Sequence, residues 1–207
     1  RWFTVAAEAA GAAHLRSGDD GAAFARLSIA SPVTHAQFSQ DGMRLITAHA
    51  GGSGDAGHSF ARMWDATDGS ASATIIELDG AVSQFVTGED GRSLGVIGMD
   101  GSVAVWNPAW RQVLMVRTGS PLKLAQIDPT VTRLATITET GMAQLWSLRT
   151  GDLIASLDHP QAVSGARFGP AGERLATFDQ NGGIRLWQAK NGNHDLDLNA
   201  SANVWRS

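Results

Sequence analysis

The chain has 207 residues, of which 43% are hydrophobic and 17% charged, with a net charge of -4 and no cysteine. That length and balance suit a folded chain with a sizeable core and argue against disorder. The missing cysteine excludes disulfide frameworks, Cys-based zinc sites and thiol nucleophiles, and suits a reducing cytoplasm. The 16 Lys and Arg residues are scattered along the sequence, which speaks against nucleic acid as a partner. No apolar run reaches the roughly 18 residues that a membrane-spanning helix requires, so no membrane partner is expected.

In chain order, residues 1–24 read poorly. The Ala-rich stretch AAEAAGAAHLRSGDDGAA suits either a short helix or part of a repeat unit, and Trp2 is a candidate for closing an earlier unit. An outer strand is expected over residues 25–30. From there four segments align: Leu45 to Trp64, Leu94 to Trp106, Leu134 to Trp146 and Leu175 to Trp187. The last three have the same length, and their tryptophans recur every 40 to 42 residues. Each opens with an apolar strand (LGVIG, LATIT, LATFD), turns through Gly101, Gly141 or Gly182, and climbs a strand ending in Trp (VAVW, AQLW, IRLW). Those closing strands alternate apolar with small or polar residues, the pattern of a half-buried strand.

Upstream of Leu45, Leu94 and Leu175 lies a hairpin signal: Asp41-Gly42, Asp90-Gly91, and Pro170 to Gly172. The strands before them, THAQFS, SQFVTG and SGARFG, place Phe at one offset; the third repeat departs with Ile127. Outer strands are readable as ATIIEL, RQVLMV and DLIASL. A repeat of about 40 to 45 residues with four strands is the signature of one propeller blade. The last residues, 199–207, suit the start of a further unit.

These residues resemble the WD40-repeat β-propeller family, in a divergent form. Trp64-Asp65 is the one literal WD dipeptide; the others read Trp106-Asn107, Trp146-Ser147 and Trp187-Gln188. His159 stands at the family's GH position, with Asp158 in place of its glycine. The resemblance covers residues 25–198 and implies an all-β fold with about four to five four-stranded blades. It also implies a buried hydrogen-bonded set of His, Ser or Thr, Asp and Trp in each blade. The set is kept in part: His159, Thr177 and Trp187 with Asn181 at the Asp position; Asp100 and Trp106 with Val96 at the hydroxyl position; Thr136 and Trp146 with Thr140 at the Asp position. Stability is therefore expected to lean on apolar packing between blades. WD40 rings usually hold about seven blades, and the chain opens on Arg1. The expectation is a partial, bacterial propeller, closed by further sequence or by another chain.

Catalysis finds no motif: no phosphate-cradling Gly loop, no G-x-S-x-G elbow and no H-E-x-x-H. The chain is read as a non-enzyme without cofactor or metal. The Leu45 to Trp64 repeat carries an insertion, AHAGGSGDAGHSF, whose His49, Asp55 and His58 suit a partner-contacting loop better than a metal site. The resemblance places partner docking on the face made by such loops, so the candidate binding residues are His49, Asp55, His58, Met99, Glu139, Gln161 and Gln180. Trp110 reads as the cap of a blade edge. The function expected is a protein-protein interaction scaffold; the alternative is a sensor or regulatory WD40 module in a larger bacterial signalling protein such as a kinase or NTPase.

Overall fold

The computed structural model describes residues 3–8, 12–17, 20–28, 32–50, 58–88, 90, 92–107 and 114–199. Among them there are nineteen strands and no helix. They form one three-stranded and four four-stranded antiparallel sheets, each built from consecutive strands.

The first sheet is β1 (Phe3–Glu8), β2 (Ala12–Ser17) and β3 (Ala23–Ser28). The helix considered for residues 1–24 is thus replaced by strands, and the outer strand expected at 25–30 begins two residues earlier. The physical reason lies in the register. Arg16 pairs with Thr4 and directly follows the same outer-strand register shift as Trp146 does, so it occupies the tryptophan position of a blade. Neither Arg16 nor Thr4 announces that role in sequence. Trp2 and residues 200–207, where the start of a further unit was expected, lie outside the described residues.

The four repeats are the four-stranded sheets, here called blades after their tryptophans. The Trp64 blade is β4 (Val33–Phe38), β5 (Arg44–Ala50), β6 (Ser59–Asp65) and β7 (Ala71–Leu78). The Trp106 blade is β8 (Val82–Thr87), β9 (Leu94–Gly98), β10 (Ser102–Trp106) and β11 (Leu114–Arg117). The Trp146 blade is β12 (Leu122–Ile127), β13 (Arg133–Thr138), β14 (Ala143–Ser147) and β15 (Leu153–Leu157). The Trp187 blade is β16 (Val163–Phe168), β17 (Arg174–Asp179), β18 (Gly183–Gln188) and β19 (His194–Asn199). The first strands are the inner ones: β8 neighbours β4 and β12, and β12 neighbours β16.

Blades stack by a repeated division of labour. Leucine and tryptophan on one face of a blade pack back onto the alternate residues of the blade before it. Leu134, Trp146, Ile127 and Leu122 meet Ile97, Val103, Val105 and Val116. Leu175, Trp187, Val163 and Phe168 meet Ile137, Ala143, Leu145 and Leu157 in the same way. Full burial of each such side chain is worth about 1.5–3 kcal/mol, so these seams supply most of the driving force. The Trp187 blade offers the same outward face, with Ile184 paired to Leu198 as Ala143 is to Leu157, yet Leu196 and Leu198 are 50% and 43% exposed. Among the described residues no sheet covers that face.

Candidate interaction face and the buried polar sets

Each inner strand starts with a bulge, at Thr34, Ser83, Lys123 and Ser164. Three of these residues donate a hydroxyl to a carbonyl of their neighbouring strand: Thr34 to Ala48, Ser83 to Ile97 and Ser164 to Phe178, at 3.1–3.2 Å. At the bulge a short hydroxyl side chain is what reaches that carbonyl. Lys123 cannot do so and is exposed.

The loops between second and third strands meet the connections that lead into the inner strands, on one face of the stack. The backbone N–H of Met99, Glu139 and Gln180 donates to the carbonyl of Ala81, Pro121 and Ala162, at 2.9, 3.0 and 3.2 Å. These three candidates thus occupy equivalent positions, and all three are exposed, Met99 by 62%. Gln161, beside Ala162, is exposed on the same rim. Val163 N–H donates to Gly141 O at 2.9 Å, stitching the loop of one blade to the inner strand of the next. Met142, 48% exposed, adds apolar surface to that loop. His58 lies on this face too: its Nδ1 is 3.4 Å from Asp79 Oδ1, and Arg117 reaches the same carboxylate at 3.3 Å. Asp55 and Trp110 lie outside the described residues.

His49 is placed differently from expectation. It belongs to β5, which runs three residues into the stretch read as insertion, and its side chain is fully buried. The ring stacks on Phe60 at 4.8 Å, and its Nε2 is 2.7 Å from Thr47 Oγ1. It therefore presents no side-chain surface to a partner. Its role is internal, because Thr47 Oγ1 also accepts the Trp64 indole N–H at 2.8 Å.

The same indole-to-threonine bond recurs from Trp146 to Thr136 (2.9 Å) and from Trp187 to Thr177 (2.7 Å). A buried indole N–H requires an acceptor, and a threonine on the adjacent strand supplies one without leaving its own hydroxyl unpaired. Thr177 Oγ1 is also 2.6 Å from His159 Nε2, the histidine expected for that blade. His49 supplies the equivalent contact from within the second strand, two residues after the threonine, a substitution invisible without the strand register. In the Trp106 blade Val96 offers no hydroxyl, and Trp106 stays partly exposed. With Asn181 in place of aspartate, His159 Nδ1 is buried without a hydrogen-bond partner among the described residues. Burial, reinforced by the Arg185 guanidinium, lowers the His159 pKa and favours the neutral ring.

The remaining structural aspartates close turns. Burial opposes ionisation of Asp100, but hydrogen bonds from the Ser102 hydroxyl (2.7 Å) and N–H (2.9 Å) outweigh it and lower its pKa. Asp65, of the WD dipeptide, is likewise held low, first by the Thr67 hydroxyl and N–H, and further by Arg44 at 2.6 Å. Among the described residues no three His, Asp or Glu side chains converge as a metal site would require, and no helix is long and apolar enough to cross a membrane.

Blade architecture, tryptophan repeat and polar sets together give the chain the fold of a WD40-type β-propeller. Residues 151–188 match the WD domain, G-beta repeat family. No curated protein matches the sequence. Among solved structures the chain is similar to Hsv2 from Kluyvelomyces marxianus, at a TM-score of 0.61 and 10% identity, over 90% of this chain and 60% of that one. It is also similar to a chain of the Mitotic Checkpoint Complex, at a TM-score of 0.62 and 15% identity, over 96% of this chain and 60% of that one. The chain thus spans about 60% of the length of the structures it matches.

Proposed function

We propose that the chain is a protein-interaction scaffold whose docking face is made by the loops between second and third strands and the connections beside them. The observation that carries this reading is the row formed by Met99, Glu139 and Gln180. Three unlike side chains stand exposed at one structural position in successive blades, each on a backbone pinned by a hydrogen bond. A rigid frame with variable, exposed side chains suits recognition, because little ordering entropy is lost when a partner lands. Met99 and Met142 offer adaptable apolar contact within that row. The partner is a protein, and the cysteine-free composition suits a reducing cytoplasm as the setting.

The test is co-purification from the native host with a Met99→Ala/Glu139→Ala/Gln180→Ala variant beside the parent chain. A protein held by the parent should be lost by the variant, while the melting temperature stays within about 1 °C, since exposed sites contribute little to stability. Retention of every partner by the variant sinks the assignment.

A further inference from the structure

The basic residues look scattered in sequence, but the fold gathers four of them at the opposite end of the blades. In the Trp64 blade, Arg44 opens the second strand and pairs in register with Asp65, giving an ion pair of 2.6 Å. The Trp146 and Trp187 blades keep the arginine and lose the carboxylate: Arg133 faces Ser147 and Arg174 faces Gln188 in the same register. Their substitute partners are poor. Asp128 is 3.8 Å from Arg133 and is already saturated by the Thr132 and Arg133 N–H groups and the Thr130 and Thr132 hydroxyls. Asp195 is 3.7 Å from Arg174 and shared with the Gln188 amide.

Both arginines line a cleft of about 480 Å³ between the two blades, together with Lys190. An adjoining cleft of about 380 Å³ shares Arg133 and Lys190 and adds Arg149 and Ser147. The Ser147 hydroxyl oxygen accepts from the N–H of Arg149 and Thr150, which leaves its proton to donate outward. Four cations thus stand against three carboxylates, Glu173 and Asp195 on the lining and Asp128 beside Arg133, in a chain whose net charge is -4. Guanidinium forks suit the planar spread of phosphate oxygens, and cavities of this size suit a small molecule.

We propose that this cleft binds a phosphorylated small molecule, its phosphate oxygens held between Arg133 and Lys190 and bridging the two blades. The test is calorimetric titration with pyrophosphate at constant ionic strength, with sulfate as the control anion. Saturable binding of one pyrophosphate per chain is expected, weakened at least tenfold in Arg133→Gln and in Lys190→Gln and unchanged in Arg92→Gln. Gln188→Asp restores the carboxylate of the Trp64 blade; it should abolish binding while leaving the fold intact by circular dichroism. Should Arg133→Gln fail to fold, the exposed Lys190→Gln and Gln188→Asp carry the test. Absence of binding, affinity untouched in Lys190→Gln and Gln188→Asp, or equal binding of sulfate overturns the proposal.

Discussion

At the scale of residues, the threonine hydroxyl is the hinge of each polar set, and its removal discriminates between blades. Thr136→Val strands one group, the Trp146 indole; Thr177→Val strands both the Trp187 indole and His159 Nε2. Each buried polar group left unpaired costs about 1–3 kcal/mol, so Thr177→Val should lose more stability than Thr136→Val in urea denaturation. His159 gives a second prediction. Its folded pKa lies below the ordinary 6.5, so the unfolded chain binds the proton first on acidification. Its contribution is complete above pH 6.5 and is lost as pH falls from there through the folded pKa. Asn181→Asp provides an anion at the position where the family pattern has one. It is expected to raise the His159 pKa, read by NMR titration, and to flatten the loss of melting temperature between pH 7 and pH 5. The carboxylates act lower: Asp65 and Asp100 add stability above their unfolded value of 3.8, lost as pH falls through their depressed folded values.

At the scale of elements, the loops between second and third strands depend on glycine for two separable reasons. Gly141 and Gly182 both have positive φ, +85° and +82°. A Cβ on Gly182 would meet nothing within 4 Å, whereas one on Gly141 would lie 2.5 Å from the Ala162 Cβ. Gly182→Ala should therefore cost only the left-handed backbone penalty, about 1–2 kcal/mol. Gly141→Ala should exceed it by about 1 kcal/mol or more through overpacking, because the neighbouring blade has to shift. Paired denaturation curves separate the two. These loops, the hairpins and the tryptophan strands were legible because alternation, turn glycines and a fixed length recur together. What was not legible depended on register. His49 sits beside a long insertion, so composition alone read it as loop while pairing with Phe60 makes it core. Arg16 at a tryptophan position hid the first sheet. Arg133, Arg149, Arg174 and Lys190 are far apart in sequence and meet only because two blades stack.

At the scale of the whole molecule, identical positions differ in worth according to whether a neighbour covers them. Leu157 is 3% exposed and Leu198, at the equivalent register, 43%. Leu157→Asp buries an unpaired charge and is expected to cost about 4 kcal/mol or more, whereas Leu198→Asp should stay within about 1 kcal/mol. Equal losses would mean that the face beyond β19 is covered in solution. The uncovered face also sets an order of events. Among the described residues a blade between two others is clasped on both sides, while the first sheet and the Trp187 blade each have one neighbour, so unravelling of the described stack is expected to start at its end sheets and move inward as a zipper opens. Limited proteolysis should then clip an end sheet, β1 to β3 or β16 to β19, before any blade between them and leave a shorter core, a ladder of fragments that records the stack one blade at a time.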